Sequence, residues 1–207
     1  MTGTPMPASV ARARLPGRPR SAVADKAILD AAVELFAERG FEGLSVDDVA
    51  ARAGVGRATI YRRYPSKVDL VIEAANCLAS MEIEYPDTGI LGADLRGFCR
   101  TLVKSLATSP AGRVMPVMAV ERGRHPELDE AYRSVLAERR SRTRQMLRRA
   151  VERGDLPSDT DVEVMSTMLV GPIFHRFLIT REPLDDAFVD TLVDALLRGF
   201  GATASTR

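Results

Sequence analysis

We predict that this chain of 207 residues folds as an all-α protein with two domains. Apolar residues recur at the three- and four-residue spacing of a helix, as Ile28, Ala32 and Leu35 do. The breaks between such segments contain Gly or Pro, and no convincing strand alternation occurs. A composition of 45% hydrophobic and 28% charged residues is that of a globular protein with a real core.

The front of the chain is basic and the rest is acidic. Residues 1–67 carry 11 Lys and Arg against 7 Asp and Glu, whereas the remainder carries 18 against 21. This asymmetry predicts that the front meets a polyanion. No apolar run approaches the roughly 18 residues that a membrane span needs, and the N-terminus lacks the apolar core of a signal peptide. We therefore expect a cytoplasmic protein, associated with the nucleoid when bound to DNA, without membrane contact.

Residues 1–20 are predicted to be a disordered, arginine-rich arm. They contain four arginines, no acidic residue and no apolar periodicity. Gly17-Arg18-Pro19 is similar to the core of AT-hook arms, and an extended arginine arm can enter a narrow minor groove. Arg18 and Arg20 are the residues that we expect to enter it. The alternative is a tail that adds only nonspecific positive charge, and the sequence leaves both open.

The first two helices are marked by their ends. A helix that begins near residue 21 ends at Gly40, because glycine readily adopts the backbone conformation that follows a helix. Ser45 and Asp48 have the spacing of a capping box and begin a second helix. Its inner face is formed by Val46, Val49, Ala50 and Ala53.

The sequence "AGVG" then turns the chain into a third helix, residues 57–64, which ends before a proline. Ser66 and Asp69 have the same capping spacing and begin a fourth helix over about 66–82. Two short helices joined by a glycine-centred turn are the layout of a helix-turn-helix. We therefore predict a helix-turn-helix domain over 21–67, with the fourth helix as its link.

The third helix has an outer face suited to the major groove of DNA. Ile60 and Tyr64 share the opposite face and are predicted to pack inward. Arginine can make two hydrogen bonds to guanine, and Ala58 or the Thr59 methyl group can contact thymine. A solvated charged helix is the ordinary alternative, but the turn, the helical wheel and the charge asymmetry all favour DNA. A membrane surface is disfavoured because the apolar face is too narrow to insert.

Residues 24–72 resemble the DNA-binding domain of the TetR/AcrR family of bacterial transcriptional regulators, above all in "ELFAERGFEGLSVDDVAARAGV" and "TIYRRYPSK". The resemblance implies that the third helix reads an operator. It implies base contacts from Arg57, Ala58, Arg62 and Arg63. It implies phosphate contacts from Ser45, Val46, Thr59, Tyr61 and Lys67. Gly56 departs from the family, which usually has Ser or another polar cap at this position.

Residues 83–207 are predicted to form a helical ligand-binding and dimerisation domain. Its helices are predicted at about 92–108, 110–122, 126–153, 160–181 and 185–200, and Thr160 with Glu163 resembles a capping pair. Methionine and aromatic side chains most often fill cores, but together they suit an apolar cavity between helices. The candidates for this pocket are Phe98, Cys99, Leu102, Met115, Met118, Met165, Met168, Phe174 and Phe177.

The family resemblance also implies a homodimer formed by the last two long helices. Apolar stripes make this pairing physically reasonable. They are Val164, Met168, Leu169 and Ile173 on one helix, and Leu192, Leu196, Leu197 and Phe200 on the other. A two-fold dimer would present two third helices about one DNA turn apart, which matches a near-palindromic operator.

The sequence contains no catalytic or metal-binding constellation, so we predict neither an enzyme nor a cofactor. His125 is expected at a surface or a helix cap, and His175 in the core, the pocket or the dimer interface. The predicted function is a ligand-responsive repressor, released from DNA by a small apolar or amphipathic molecule, with the fourth helix carrying the motion. Two alternatives stay open. The C-terminal domain binds a protein partner or no ligand, or the chain is a small helical enzyme.

Overall fold

The computed structural model describes residues 22–79 and 83–202, without the side chains of residues 77–79 and 111. These residues form α-helices and one π-helical segment, and none of them belongs to a strand. The helices are α1 (Ala22–Gly43), α2 (Val46–Ala53), α3 (Arg57–Tyr61), α4 (Lys67–Ala79), α5 (Leu91–Thr108), α6 (Pro110–Glu121), α7 (Pro126–Arg153), α8 (Val162–Phe174) and α9 (Asp186–Gly199), with the π-helical segment at His175–Thr180. The prediction of an all-α fold is confirmed.

Local capping determines the helix boundaries of the N-terminal domain. Gly40 has φ 70°, so the backbone of α1 breaks where the sequence predicted a stop, although three more residues continue the helix assignment. The Ser45 hydroxyl accepts a hydrogen bond from the Asp48 amide at 3.1 Å. Ser66 and Asp69 cap each other, with the two amides bonded to the opposite side chains at 3.0 and 3.1 Å. The capping predictions at Ser45 and Ser66 are therefore confirmed.

Helices α5, α6, α7 and α9 lie within one residue of their predicted bounds, but α8 differs. Asp161 begins α8, because its carboxylate accepts the amides of Glu163 and Val164 at 3.0 Å each. The predicted Thr160 cap is wrong, since the acidic neighbour provides a charged acceptor one residue later. The predicted helix 160–181 also ends its α-helical part at Phe174 and continues as the π-helical segment.

Two hydrophobic clusters form the core. The first joins α1–α4 and includes Val114 and Met118 of α6 and Leu128 of α7. The second joins α5, α7, α8 and α9 and also contains Met115 of α6. Tyr132 of α7 packs against both clusters. Helices α1–α4 therefore pack against α6 and α7, in addition to being joined to the rest of the chain through α4.

The stretch Val162–Thr180 is long and apolar enough to cross a membrane by length and composition, and 22% of that window is buried. The stretch is not a continuous apolar run, because Glu163, Ser166 and Thr167 interrupt the apolar residues. A helix that packs in a core or an interface meets the same criterion. The low buried share means that much of its apolar surface faces outward from this chain.

Candidate nucleic-acid interface

The turn between α2 and α3 fixes the direction of the exposed helix. Gly54 ends α2 with φ 66°, and its amide bonds to the carbonyls of Ala50 and Ala51. Glycine adopts this left-handed conformation without a steric penalty. Gly56 then begins α3 without a side-chain cap. The short α3 continues as helical hydrogen bonding to Tyr64, whose amide bonds to the Ile60 carbonyl at 2.8 Å.

The inner face of α3 anchors it to the first core cluster. Ile60 is fully buried, and Tyr64 is half-buried against the same cluster. This agrees with the inward face that the helical wheel predicted. The residues on the other side of α3 are consequently held toward solvent.

The outer face of α3 carries two exposed arginines. Arg57 pairs with Asp47 of α2, and both side chains are more than half exposed. Arg62 is exposed and has no ion pair within the described part of the chain. Ala58 is exposed between them, and Tyr61 is 45% exposed. Four of the side chains expected to face DNA thus lie on one outward surface.

Arg63 has a different environment from the other two arginines. Its guanidinium pairs with Asp25 of α1 and also donates to the Thr59 carbonyl at 3.3 Å. Only 14% of the Arg63 side chain is exposed. The expectation that Arg63 reads bases does not fit this placement, because its charge is directed into the protein and is already paired.

The candidate phosphate contacts surround this face in different ways. Ser45 caps α2, and the Val46 side chain is buried, so Val46 can offer only its backbone amide. Thr59 is half-buried. The Lys67 ammonium donates to the Phe41 carbonyl at 2.9 Å and lies 4.2 Å from the Phe41 ring centroid. An ammonium has three donors, so this bond leaves two for a phosphate.

Arg18 and Arg20 lie outside the described residues. The described part of the chain begins with α1 at Ala22. The Asp25–Arg63 pair holds the start of α1 beside the turn that follows α3. No sequence pattern predicts this pair, since its members are 38 positions apart and belong to different parts of the domain.

Most of the predicted pocket residues come together in the second core cluster. Phe98, Cys99 and Leu102 of α5 are buried there with Met115 and Met165, and Phe174 and Phe177 pack against them. Burial raises the pKa of the Cys99 thiol to about 12. Cys99 is therefore an apolar core residue and not a reactive thiol.

Two of the predicted pocket residues lie elsewhere, which corrects that part of the prediction. Met118 belongs to the first cluster, where it borders a space of about 10 Å³, the size of one water molecule. Met168 lies on the outer side of α8 and is 49% exposed. Helical spacing identified both as apolar-face residues but did not determine which neighbour each face meets.

The predicted apolar stripe on α8 is two separate faces. Leu169 and Ile173 are fully buried in the second cluster, whereas Val164 is 47% exposed on the same side as Met168. Residues 164 and 169 are five positions apart, or about 140° around a helix. His175 is exposed and Ile179 is 71% exposed along the continuation of the outer side. The outer side is a candidate contact surface, and the inner side is core.

Comparisons with known proteins match both halves of the chain. The family described as "Bacterial regulatory proteins, tetR family" matches residues 28–74. The one described as "Tetracyclin repressor-like, C-terminal domain" matches residues 85–196. These two matches together cover well over half of the chain.

Two relatives and one solved structure illustrate the similarity. The uncharacterized HTH-type transcriptional regulator YdeS of Bacillus subtilis is 34% identical over 191 residues, 92% of this chain and 96% of that protein. The DNA-binding transcriptional repressor TetR of Mycobacteroides abscessus is 36% identical over 187 residues, 87% of this chain and 93% of that protein. The structure of the regulator FadR from Bacillus subtilis, solved with stearoyl-CoA, has a TM-score of 0.67 at 22% identity and covers 88% of this chain and 98% of that one. At that identity the likeness concerns the fold alone.

Proposed function

This chain belongs to the TetR family of bacterial transcriptional regulators, and we propose that it is a repressor that binds a near-palindromic operator as a homodimer. Its relatives are named as transcriptional regulators, which confirms the prediction that it is not an enzyme. The relative from Mycobacteroides abscessus is named as a repressor, which supports repression as the mode of action.

One observation carries the proposed DNA contact. Arg62 is exposed at the end of α3, without an ion pair in the described chain, beside exposed Ala58. An unpaired guanidinium can make the two parallel hydrogen bonds that identify guanine in the major groove. Arg57 joins it once its exposed pair with Asp47 rearranges, which costs little because exposed ion pairs are weak.

The phosphate contacts are assigned to the residues around this face. Lys67 and Tyr61 offer side-chain donors, Thr59 offers its hydroxyl, and the Val46 amide lies at the start of α2. The Ser45 hydroxyl donates to Asp48 Oδ2 at 2.8 Å, so it reaches a phosphate only by exchanging that bond. A helix N-terminus favours an anion because its amides are free and its dipole is positive there. Arg63 is assigned a supporting role, in which its pair with Asp25 holds α3 against α1.

The experiment that tests this function compares two substitutions on an operator and on an unrelated duplex. Arg62→Ala should lose about 1–3 kcal/mol of operator binding and relax base preference at one position. Lys67→Ala should weaken binding to both duplexes alike, because a phosphate contact carries no sequence information. Fluorescence anisotropy measures both affinities. Equal losses on both duplexes for Arg62→Ala would contradict a base-reading role.

We also propose that a small apolar or amphipathic effector releases the DNA. The support is the cluster of buried methionine and aromatic residues between α5, α6 and α8, and the stearoyl-CoA complex of FadR, which has the same fold. An effector acts only through its different affinities for the two forms of the regulator. A compound that raises the melting temperature and releases DNA supports this proposal. If a protein, and no small compound, releases the DNA, the alternative of a C-terminal domain that binds a protein partner is supported.

The proposed dimer uses the outer side of α8 together with α9. Val164, Met168 and Ile179 expose apolar surface there. The stripe predicted on α9, formed by Leu192, Leu196, Leu197 and Phe200, packs in the second cluster instead, and the outer side of α9 is formed by small residues. Those small residues are Ala187, Thr191, Ala195 and Gly199. Small side chains allow close approach of a partner helix, and apolar ones gain from burial. A two-fold axis there would pair two copies of α3.

The N-terminal arm is proposed to contact the minor groove beside the operator half-site. It leaves the protein at Ala22, next to the Asp25–Arg63 pair at the end of α3. Replacing Arg18 and Arg20 by Gln keeps the length of the arm and removes its charge. We expect this variant, like deletion of residues 1–20, to weaken operator binding and reduce its salt dependence. An unchanged salt slope would refute the arm contact.

A further inference from the structure

The turn that joins α1 to α2 touches the junction of α6 and α7. Gly40 turns the chain with φ 70°, and Phe41 follows it. The Phe41 ring packs on the imidazole of His125, the residue that precedes α7, with centroids 4.3 Å apart and planes tilted by 51°. The His125 side chain, from the C-terminal half of the chain, thus packs against the turn that leads from α1 into α2.

The same phenylalanine holds the lysine proposed to bind phosphate. The Lys67 ammonium bonds to the Phe41 carbonyl at 2.9 Å and lies 4.2 Å from the ring centroid. Phe41 is buried, with 6% of its surface exposed. The Phe41 ring contacts both His125 and the Lys67 ammonium. The positions of these two side chains are therefore coupled through one ring.

Two carboxylates lie close to the Nε2 atom of the imidazole. Nε2 of His125 lies 3.4 Å from the Glu42 carboxylate and 3.6 Å from that of Glu121, the last residue of α6. The His125 and Glu121 side chains are 21% and 13% exposed, and His125 Nε2 and Glu121 Oε2 are buried without a hydrogen bond to the described residues. Buried polar atoms that make no hydrogen bond are uncommon, and here, among the described residues, the imidazole nitrogen meets only the carboxylates of Glu121 and Glu42.

The turn at Gly40 and Phe41 lies directly against residues of the α6–α7 junction. A Cβ atom added at Gly40 would lie 2.8 Å from the Glu121 carboxylate, and the Phe41 ring contacts His125. A shift of α7 that moves His125 would therefore act on the Phe41 ring. Both helices also contribute to the second core cluster, Met115 from α6 and Met146 from α7.

We propose that His125 and Glu121 are positioning residues for DNA binding, which hold Phe41 and thereby the Lys67 ammonium in place to bind phosphate. This inference rests on the proposed phosphate contact of Lys67. It provides a connection from the C-terminal domain to Lys67, the first residue of α4, that does not run along the length of α4. It also assigns a role to His125, which the sequence suggested only as a surface or capping residue.

The test is a double-mutant cycle of His125→Ala and Lys67→Ala in the full chain. The probe is a duplex recovered from random DNA by selection with the wild-type protein, and the measurement is the dependence of affinity on salt concentration. Each phosphate contact contributes about 0.9 to the slope of log affinity against log salt. We expect His125→Ala to reduce the slope by up to that amount in the wild type and not at all beside Lys67→Ala. Equal reductions in both backgrounds, or none, would overturn the proposal.

Two further variants keep the test decisive. Glu121→Gln removes the charge opposite His125 at nearly constant size, and it replaces His125→Ala in the cycle if that variant does not fold. Glu127→Gln is the matched control, an exposed change in the first turn of α7 that should leave the slope unaltered. Lys67→Ala alone tests the phosphate contact independently of His125. If this variant leaves the slope unchanged, Lys67 does not bind phosphate, and the positioning role of His125 is refuted as well.

Discussion

Three arginines within seven residues have three different environments. Arg57 pairs with Asp47 at the surface, Arg62 is exposed, and Arg63 is directed inward toward Asp25. The sequence predicted that this stretch carries arginines toward an outer face, but it could not separate them. Their ion-pair partners belong to other helices, so tertiary packing determines which arginine is paired and which is exposed. Arg62 is therefore exposed without an ion pair among the described residues, while Arg63 supports the packing of α3 on α1.

Cys99 shows how burial determines chemistry at a single residue. It is fully buried in the second cluster, and burial raises the pKa of its thiol to about 12. Because the thiolate is the reactive form, we expect Cys99 to resist iodoacetamide at pH 8 in the folded protein and to react after denaturation. Mass spectrometry of the peptide that contains Cys99 measures the extent of alkylation. Rapid modification of the native protein would contradict its assignment to the core.

At the scale of elements, local rules predicted most of the boundaries. Caps at Ser45 and Ser66 and the break at Gly40 depend on residues three or four positions apart, so the sequence contains the information. Local spacing of this kind does not show which side of α8 faces the core and which faces outward. Val164 and Ile173 are equally apolar, and only the packing of α8 on the second cluster determines which one is buried.

The turn between α2 and α3 gives a prediction with an internal control. Gly54 has φ 66° and Gly56 has φ −75°, and a Cβ atom at either position would meet no other atom within 4 Å. Gly54→Ala should therefore destabilise the protein by about 1–2 kcal/mol through backbone strain alone. Gly56→Ala should cost distinctly less. Denaturant unfolding followed by circular dichroism gives both values, and equal losses would argue against a strained turn.

At the scale of the molecule, the two halves are joined by more than one helix. From the sequence, only the fourth helix was expected to link them. The first core cluster nevertheless includes Met118 of α6 and Leu128 of α7, and α1 packs against α6. The sequence could not reveal this, because these residues are far apart in the chain, as are Phe36 and Met118, which border one small space although they are 82 positions apart. A change in the C-terminal helices can therefore reach the N-terminal domain at several points.

Dimerisation gives a prediction at the same scale. Met168→Glu places a charge on the outer side of α8, where burial in a dimer would desolvate it. We expect this variant to fold, because Met168 is half exposed, but to be monomeric at micromolar concentration and to bind the operator weakly. Val120→Glu is the control, since Val120 is 62% exposed on α6 and outside the proposed interface. Sedimentation equilibrium measures the mass, and dimers of both variants would refute the interface.

The central claim is that two copies of α3 bind two half-sites of one operator. Selection of bound sequences from random duplex DNA tests it most directly, because the selected sites report both base preference and symmetry. The expected result is a near-palindrome whose half-site centres lie roughly 10–10.5 base pairs, or a multiple of that, apart. A guanine in each half-site should lose its enrichment with Arg62→Ala. Enrichment of a single, unpaired motif, or of no sequence at all, would contradict the claim.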